Sequence, residues 1–155
     1  MKKLSLILAL ILFTVLAFAQ TGLFNIAFDQ TREEVKTSLE GDDYGFTEDD
    51  YADHVSTFIN DNNEYIDHIL VIYNPDTEMV VGWQVYYIDQ DEEDIADVAY
   101  EACSDWHGES DSFDDDLGVD YWDLGNGRTL RLGYNYDLWM LAEYLEEGYE
   151  DYSEF

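Results

Sequence analysis

Apolar residues recur along this chain with two periods. Val35 and Leu39 in one segment, and Ile95, Val98, Ala99, Ala102, Cys103 and Trp106 in another, fall at the three-to-four-residue spacing that gathers one face of an α-helix. Elsewhere the period shortens to two, or the apolar residues run together. His68 to Tyr73 and Met79 to Ile88 are rich in Ile, Val, Trp and Tyr, and Thr129 to Tyr134 sets Leu130, Leu132 and Tyr134 against Thr129, Arg131 and Gly133. These segments predict strands. Asn74-Pro75-Asp76 is turn chemistry between the first two, which makes them a hairpin, and Leu138 to Leu145 returns after a second Asn/Asp turn. A third strand precedes each hairpin: Tyr121 to Leu124 enters through Gly125-Asn126-Gly127, and His54 to Ile59 leads into Asp61-Asn62-Asn63. The stretch 48–59 also admits a helix, because Thr47-Glu48-Asp49-Asp50 is a helix start and Tyr51, Val55, Phe58 and Ile59 stand at helical spacing.

The pattern repeats. Phe28-Asp29-Gln30-Thr31-Arg32-Glu33-Glu34-Val35 returns sixty residues later as Ile88-Asp89-Gln90-Asp91-Glu92-Glu93-Asp94-Ile95. In the first copy Thr31 and Glu34 form a capping box before Val35 and Leu39, with Gly41 as the stop; in the second, Asp91 caps and Asp94 takes the third helical position. Ile72-Tyr73-Asn74-Pro75-Asp76 is likewise matched by Gly133-Tyr134-Asn135-Tyr136-Asp137 at an offset of sixty-one. Two matched blocks in the same order predict an α+β fold of tandem α-β-β-β units, at 26–88 and 89–145. Their strands would join one antiparallel sheet of about six, with both helices packed on one face, and the repeat favours strand for the later part of 48–59.

Lys2 and Lys3, the apolar run from Leu4 to Phe18 and the small residues of Ala17-Phe18-Ala19 have the form of a secretory signal peptide cleaved after Ala19. The run falls short of the roughly 20 residues that span a bilayer. Residues 1–19 are therefore expected to be removed, leaving an exported chain, periplasmic or extracellular, without a membrane span. Residues 20–145 then read as a single acidic α+β domain and 146–155 as an acidic, aromatic tail, either frayed or docked on a basic partner.

Charge narrows the partners. The chain carries 37 Asp and Glu against six Lys and Arg, a formal charge of −31. Beyond the signal segment only Arg32, Lys36, Arg128 and Arg131 are basic. Nucleic acids and anionic membranes need basic patches, so they are excluded as partners. Cations, a cationic protein or a salt-rich medium remain. Cys103 is the single cysteine, so the chain forms no internal disulfide and relies on packing.

The helix start Thr31-Arg32-Glu33-Glu34-Val35 followed by Leu39-Glu40-Gly41, in a small exported chain of two αβ units, resembles the β-lactamase-inhibitor-protein-like and SmpA-like group of bacterial envelope proteins. The resemblance covers the two helix starts and the strand order. It implies a noncatalytic module that binds proteins through its exposed sheet or loops. The chain lacks the lipoprotein cysteine and the disulfides some members carry, and no contact residue carries over.

Candidate chemistry is sparse. Cys103 and His107 share a helix face near Asp105 and Glu109, as a thiol nucleophile or metal pair would, but a core cysteine and a histidine near a helix end suffice to explain them. His54 follows Asp53 and His68 follows Asp67, the form of a metal ligand or general base with its orienting carboxylate, or of surface residues. The stretch Asp111, Asp114, Asp115, Asp116 and Asp120 gathers hard oxygens of the kind Ca²⁺ prefers, without the EF-hand spacing; it is a solvated acidic loop or a weak calcium site, and calcium is the one candidate cofactor. Trp83, Tyr87, Trp139 and Tyr144 are candidate anchors for a protein partner, or core under the helices. The expected function is a secreted or periplasmic noncatalytic binding module; a calcium-binding acidic protein and a hydrolase are the alternatives.

Overall fold

A computed structural model describes residues 21–41, 44–88 and 95–155. The signal segment and the second cap, Asp91 with Asp94, lie outside the described residues. After a 3-10 turn at Leu23–Asn25 come α1 (Arg32–Glu40), β1 (Thr47–Ala52), β2 (Val55–Ile59), β3 (Ile66–Tyr73) and β4 (Val80–Tyr87). Then follow α2 (Ile95–His107), β5 (Ser112–Asp114), β6 (Val119–Gly125), β7 (Arg128–Tyr134), β8 (Met140–Glu146) and a 3-10 turn at Glu150–Tyr152. The strands form one antiparallel sheet in the order β1-β2-β3-β4-β8-β7-β6-β5, so β4 and β8 meet at its centre with Trp83 opposite Tyr144.

The fold is α+β with an antiparallel sheet, but the sheet has eight strands where about six were expected. The two additions, β1 and β5, are its edges. An edge strand needs no apolar alternation, because one side of its backbone faces water. β1 reads Thr-Glu-Asp-Asp-Tyr-Ala and is largely exposed, which is why it resembles a helix start in the sequence. The helical reading of 48–59 gives way to the β1–β2 hairpin. Its turn is Asp53-His54, between the paired residues Ala52 and Val55, with φ of 51° and 65°. Two successive left-handed residues make the two-residue turn whose twist suits a hairpin, normally supplied by Asn-Gly. β6 and β7 use that normal form, Asn126-Gly127, between the paired Gly125 and Arg128.

α1 starts as its sequence dictates. Thr31 N–H donates to Glu34 Oε2 at 2.8 Å and Glu34 N–H returns to Thr31 Oγ1 at 3.4 Å. Val35 and Leu39 are fully buried and, with Ile95, Ala99 and Cys103 of α2, face one side of the sheet. That side presents Phe58, Ile69, Val71, Trp83, Val85, Leu130, Leu132, Ala142 and Tyr144. At its heart Trp83 stacks on Tyr144 with ring centroids 4.1 Å apart, and Phe28 leans on Trp83 at 4.9 Å. Gly22 crosses this stack so closely that a Cβ would stand 2.6 Å from the Trp83 ring.

The opposite face is not bare. Residues 149–155, read in the sequence as a frayed tail or one docked on a basic partner, lie against it, and Tyr149 and Tyr152 pack on Ile72, Val81 and Leu145. The hydrogen bonds that hold them come from residues far away in sequence, which local composition does not reveal.

The His54 backbone sits in the left-handed region at a cost of about 1 kcal/mol for a side chain with a Cβ. His54→Gly is expected to raise the unfolding free energy by about 1 kcal/mol in a urea titration, offset in part by the greater freedom of glycine in the unfolded chain.

Candidate functional site

The four candidate anchors divide between inside and outside. Trp83 and Tyr144 are fully buried and Tyr87 nearly so, all on the helix side of the sheet. They are core, not contact residues, because β4 and β8 run through the middle of the sheet beneath both helices. Trp139 alone of the four is exposed. It stands edge-on to His68 at 6.4 Å and Tyr86 at 6.3 Å, which stack on each other at 4.2 Å on the helix-free face. The same β7–β8 turn projects Tyr136 and Leu138, 83% and 81% exposed, with Tyr134 exposed at its base. Asn135 shapes the turn, its side-chain oxygen accepting from the N–H groups of Asp137 and Trp139. The acidic 115–118 turn abuts it: a Cβ on Gly133 would stand 2.8 Å from the Gly118 carbonyl. Phe113 and Leu117, both exposed, belong to that neighbouring hairpin.

The acidic stretch 111–120 forms the β5–β6 hairpin, and three of its five carboxylates accept hydrogen bonds within it or from its flanks. Asp111 accepts from Asp123 N–H at 2.7 Å and Asp114 from Asp116 and Leu117 N–H, while Asp120 accepts from the Ser110 hydroxyl at 2.7 Å. Strand alternation spreads the five acids, and among the described residues no three His, Cys, Asp or Glu side chains are grouped to hold a metal ion. Asp114, Asp115 and Asp116 do share one shallow depression with Ser112, Phe113 and Tyr121.

Cys103 is enclosed, and burial pushes its thiol up to about 12, with the Asp120 charge adding to the effect. It stays a thiol at neutral pH. His107 lies 3.1 Å from the Tyr144 hydroxyl, which also accepts from Leu23 N–H at 3.2 Å. Burial pulls the imidazole down to about 4, so it is neutral at pH 7. His68 pairs with Asp67 at 2.7 Å on the sheet surface, and His54 belongs to the hairpin turn.

All four Lys and Arg among the described residues are engaged with acids. Arg32 grips Glu48 with two hydrogen bonds of 2.8 Å, and Lys36 Nζ lies 3.0 Å from the same carboxylate. Burial would raise the Glu48 carboxyl, but hydrogen bonds from Arg32, Ser56 and Lys36 outweigh it and hold it at about 2. Arg128 reaches Asp29 at 2.6 Å and lies over the Phe28 ring. Arg131 lies 3.7 Å from Glu143, a fully buried carboxylate at the middle of the helix-free face. Glu143 is the functional candidate that sequence reading missed; its one sequence signal is a lone acid in the apolar run of β8.

No protein-family model, curated protein or solved structure matches this chain.

The His107 and Glu48 shifts give separate pH windows. Both groups have lowered folded values, so each stabilises fully above its unfolded value. The His107 contribution drains as pH falls from about 6.5 towards 4, and that of Glu48 from about 4.5 towards 2. His107→Gln should therefore flatten the melting curve between pH 7 and 5, narrowing that drop by on the order of 5 °C relative to the unmodified chain. The decline below pH 4 should persist in the variant, as calorimetry at each pH will read.

Proposed function

We propose that this chain is an exported, noncatalytic binding module that takes a cationic protein partner, contacting it through the exposed 136–139 turn and the acids around it. The observation that carries the reading is the conjunction of Tyr136 and Leu138, more than four-fifths exposed, with the Lys and Arg side chains among the described residues all tied to acids. Large apolar side chains standing together in water mark contact surfaces. Aromatic residues are the anchors such surfaces favour, and Trp139, backed by the partly exposed His68 and the buried Tyr86, borders the patch. A field this negative steers positively charged partners towards it. The enclosed thiol and the neutral, Tyr144-bound His107 support the noncatalytic part, since neither is placed to act as a nucleophile or base on a substrate.

The order of elements supports a finer reading. Each half runs helix, then four strands, and the halves meet through their last strands in a sheet order that reads the same from either edge. We propose that the two halves descend from a duplicated unit of one helix and four strands. The likeness to β-lactamase-inhibitor-protein-like and SmpA-like envelope proteins, drawn from the two helix starts and the order of α-β-β-β units, forms part of the proposal.

Two lysine-rich peptides of equal charge, one carrying Trp and Leu and one without apolar residues, separate patch recognition from bare attraction. Calorimetric titration is expected to give the apolar-bearing peptide at least a tenfold tighter Kd, corresponding to about 1.4 kcal/mol. The combined variant Tyr136→Ser, Leu138→Ser, Trp139→Ser should abolish that difference while keeping its melting temperature within a few degrees, roughly that of an exposed-surface change. Equal binding of the two peptides by the unmodified chain discards the reading.

A further inference from the structure

The helix-free face carries a polar ladder that the sheet does not complete by itself. Gln84 of β4, Glu143 of β8 and Arg131 of β7 stand opposite one another across the three central strands. Gln84 Nε2 donates to Glu143 Oε2 at 2.9 Å, and Arg131 Nη1 stands off at 3.7 Å. A carboxylate with no exposure needs more than that, because taking it out of water costs several kcal/mol unless its lone pairs are met. The remaining donors come from the 149–155 segment. Ser153 Oγ donates to Glu143 Oε1 and Glu154 N–H to Oε2, both at 2.9 Å, while the Tyr152 carbonyl accepts from Gln84 Nε2 at 2.8 Å. Arg131 Nη1 reaches Ser153 Oγ at 3.0 Å.

The hydrogen bonds and ring contacts by which this segment attaches use neutral groups: a hydroxyl, backbone groups, the Tyr149 and Tyr152 rings on Ile72, Val81 and Leu145, and the Tyr149 hydroxyl on Asn74. Its three acids, Glu150, Asp151 and Glu154, belong to the excess that gives the chain its formal charge of −31, and of them Glu150 is drawn towards Arg131. Beside it lies a cavity of about 270 Å³ lined by Thr129, Arg131, Leu145, Glu146, Glu147 and Glu150, three of them acids. The segment leaves β8 through Gly148 at φ +96°, a backbone state that suits glycine and makes this a natural pivot.

We propose that Glu143 anchors a peptide-binding site on the helix-free face, that residues 149–155 are its resident occupant, and that an extended cationic peptide displaces them. The inference rests on the preference for cationic partners argued above and moves the contact to a second place. A Lys-bearing segment keeps the backbone, hydroxyl and ring contacts, brings positive charge to a chain of formal charge −31, and finds Glu146 and Glu147 in the adjoining cavity. The resident lowers the apparent affinity of the newcomer by the fraction of time it stays bound.

The probe is the heptapeptide Tyr-Lys-Lys-Tyr-Ser-Lys-Phe, which copies residues 149–155 with its three acids reversed, and the full chain is used throughout. In hydrogen exchange, amides 149–155 should open at least a hundredfold faster than those of β4 and β8, and faster still as the heptapeptide saturates. The peptide should bind Tyr149→Ala/Tyr152→Ala, whose resident is loosened, at least tenfold tighter than the unmodified chain, and Glu143→Gln at least tenfold weaker. Exchange of 149–155 only together with the central strands overturns the proposal, whether or not the variants fold. So does equal affinity for all three proteins; if that equal binding is lost in the 136/138/139 variant, the turn remains the cationic contact and the Glu143 site falls alone.

Discussion

The arrangement depends on how few positive charges hold so many negative ones. Arg32, Lys36, Arg128 and Arg131 each sit where separate parts of the chain meet. Arg32 and Lys36 fasten α1 to β1 through Glu48, and Ser56 of β2 completes that carboxylate's partners. Arg128 ties the loop before α1 to the far end of the β7–β8 pair, with Glu146 3.7 Å from its guanidinium. Arg131 lies over Tyr121 of β6 while facing Glu143 of β8. Cations so placed are cross-links, and most of the other described acids are at least partly exposed, where ionic screening limits their mutual repulsion.

Packing supplies the rest of the cohesion. In place of disulfides, the interior stacks large rings: Trp83 on Tyr144, Phe28 on Trp83, and Phe24 edge-on to Phe46 at 5.5 Å. Such rings bury much area and fix their neighbours' positions, which is how Gly22 comes to be required where the chain crosses the stack. The Tyr144 hydroxyl then links three separate parts of the fold, by receiving Leu23 N–H and meeting His107 at the end of α2.

Much of this was legible in the residue order, and the failures have physical causes. The capping box at Thr31, the buried Val35 and Leu39, and the Asn74 and Asn126 turns depend on neighbours within a few positions, so local sequence carries them. β1 and β5 escaped notice because edge strands are read from pairing, not from apolar alternation. Alternation also cannot say which strand is central. Gln84 and Tyr86 are buried like Trp83 and Val85, so both faces of β4 are covered, and of the four residues that could have been surface anchors or core, Trp83, Tyr87 and Tyr144 lie in the core while Trp139 is exposed. The Glu143 contacts with Ser153 and Glu154 join residues whose types, taken singly, announce nothing.

The two outer strands of the sheet set a limit on its growth. β1 offers Asp49 and Asp50 along one margin, and β5 is three residues long and ends in Asp114 at the other. A neighbouring molecule that tried to extend the sheet would bring like charges to within about 4.8 Å across the new seam. Continuation of the hydrogen-bond ladder into another copy is thereby opposed by charge at both margins of the sheet.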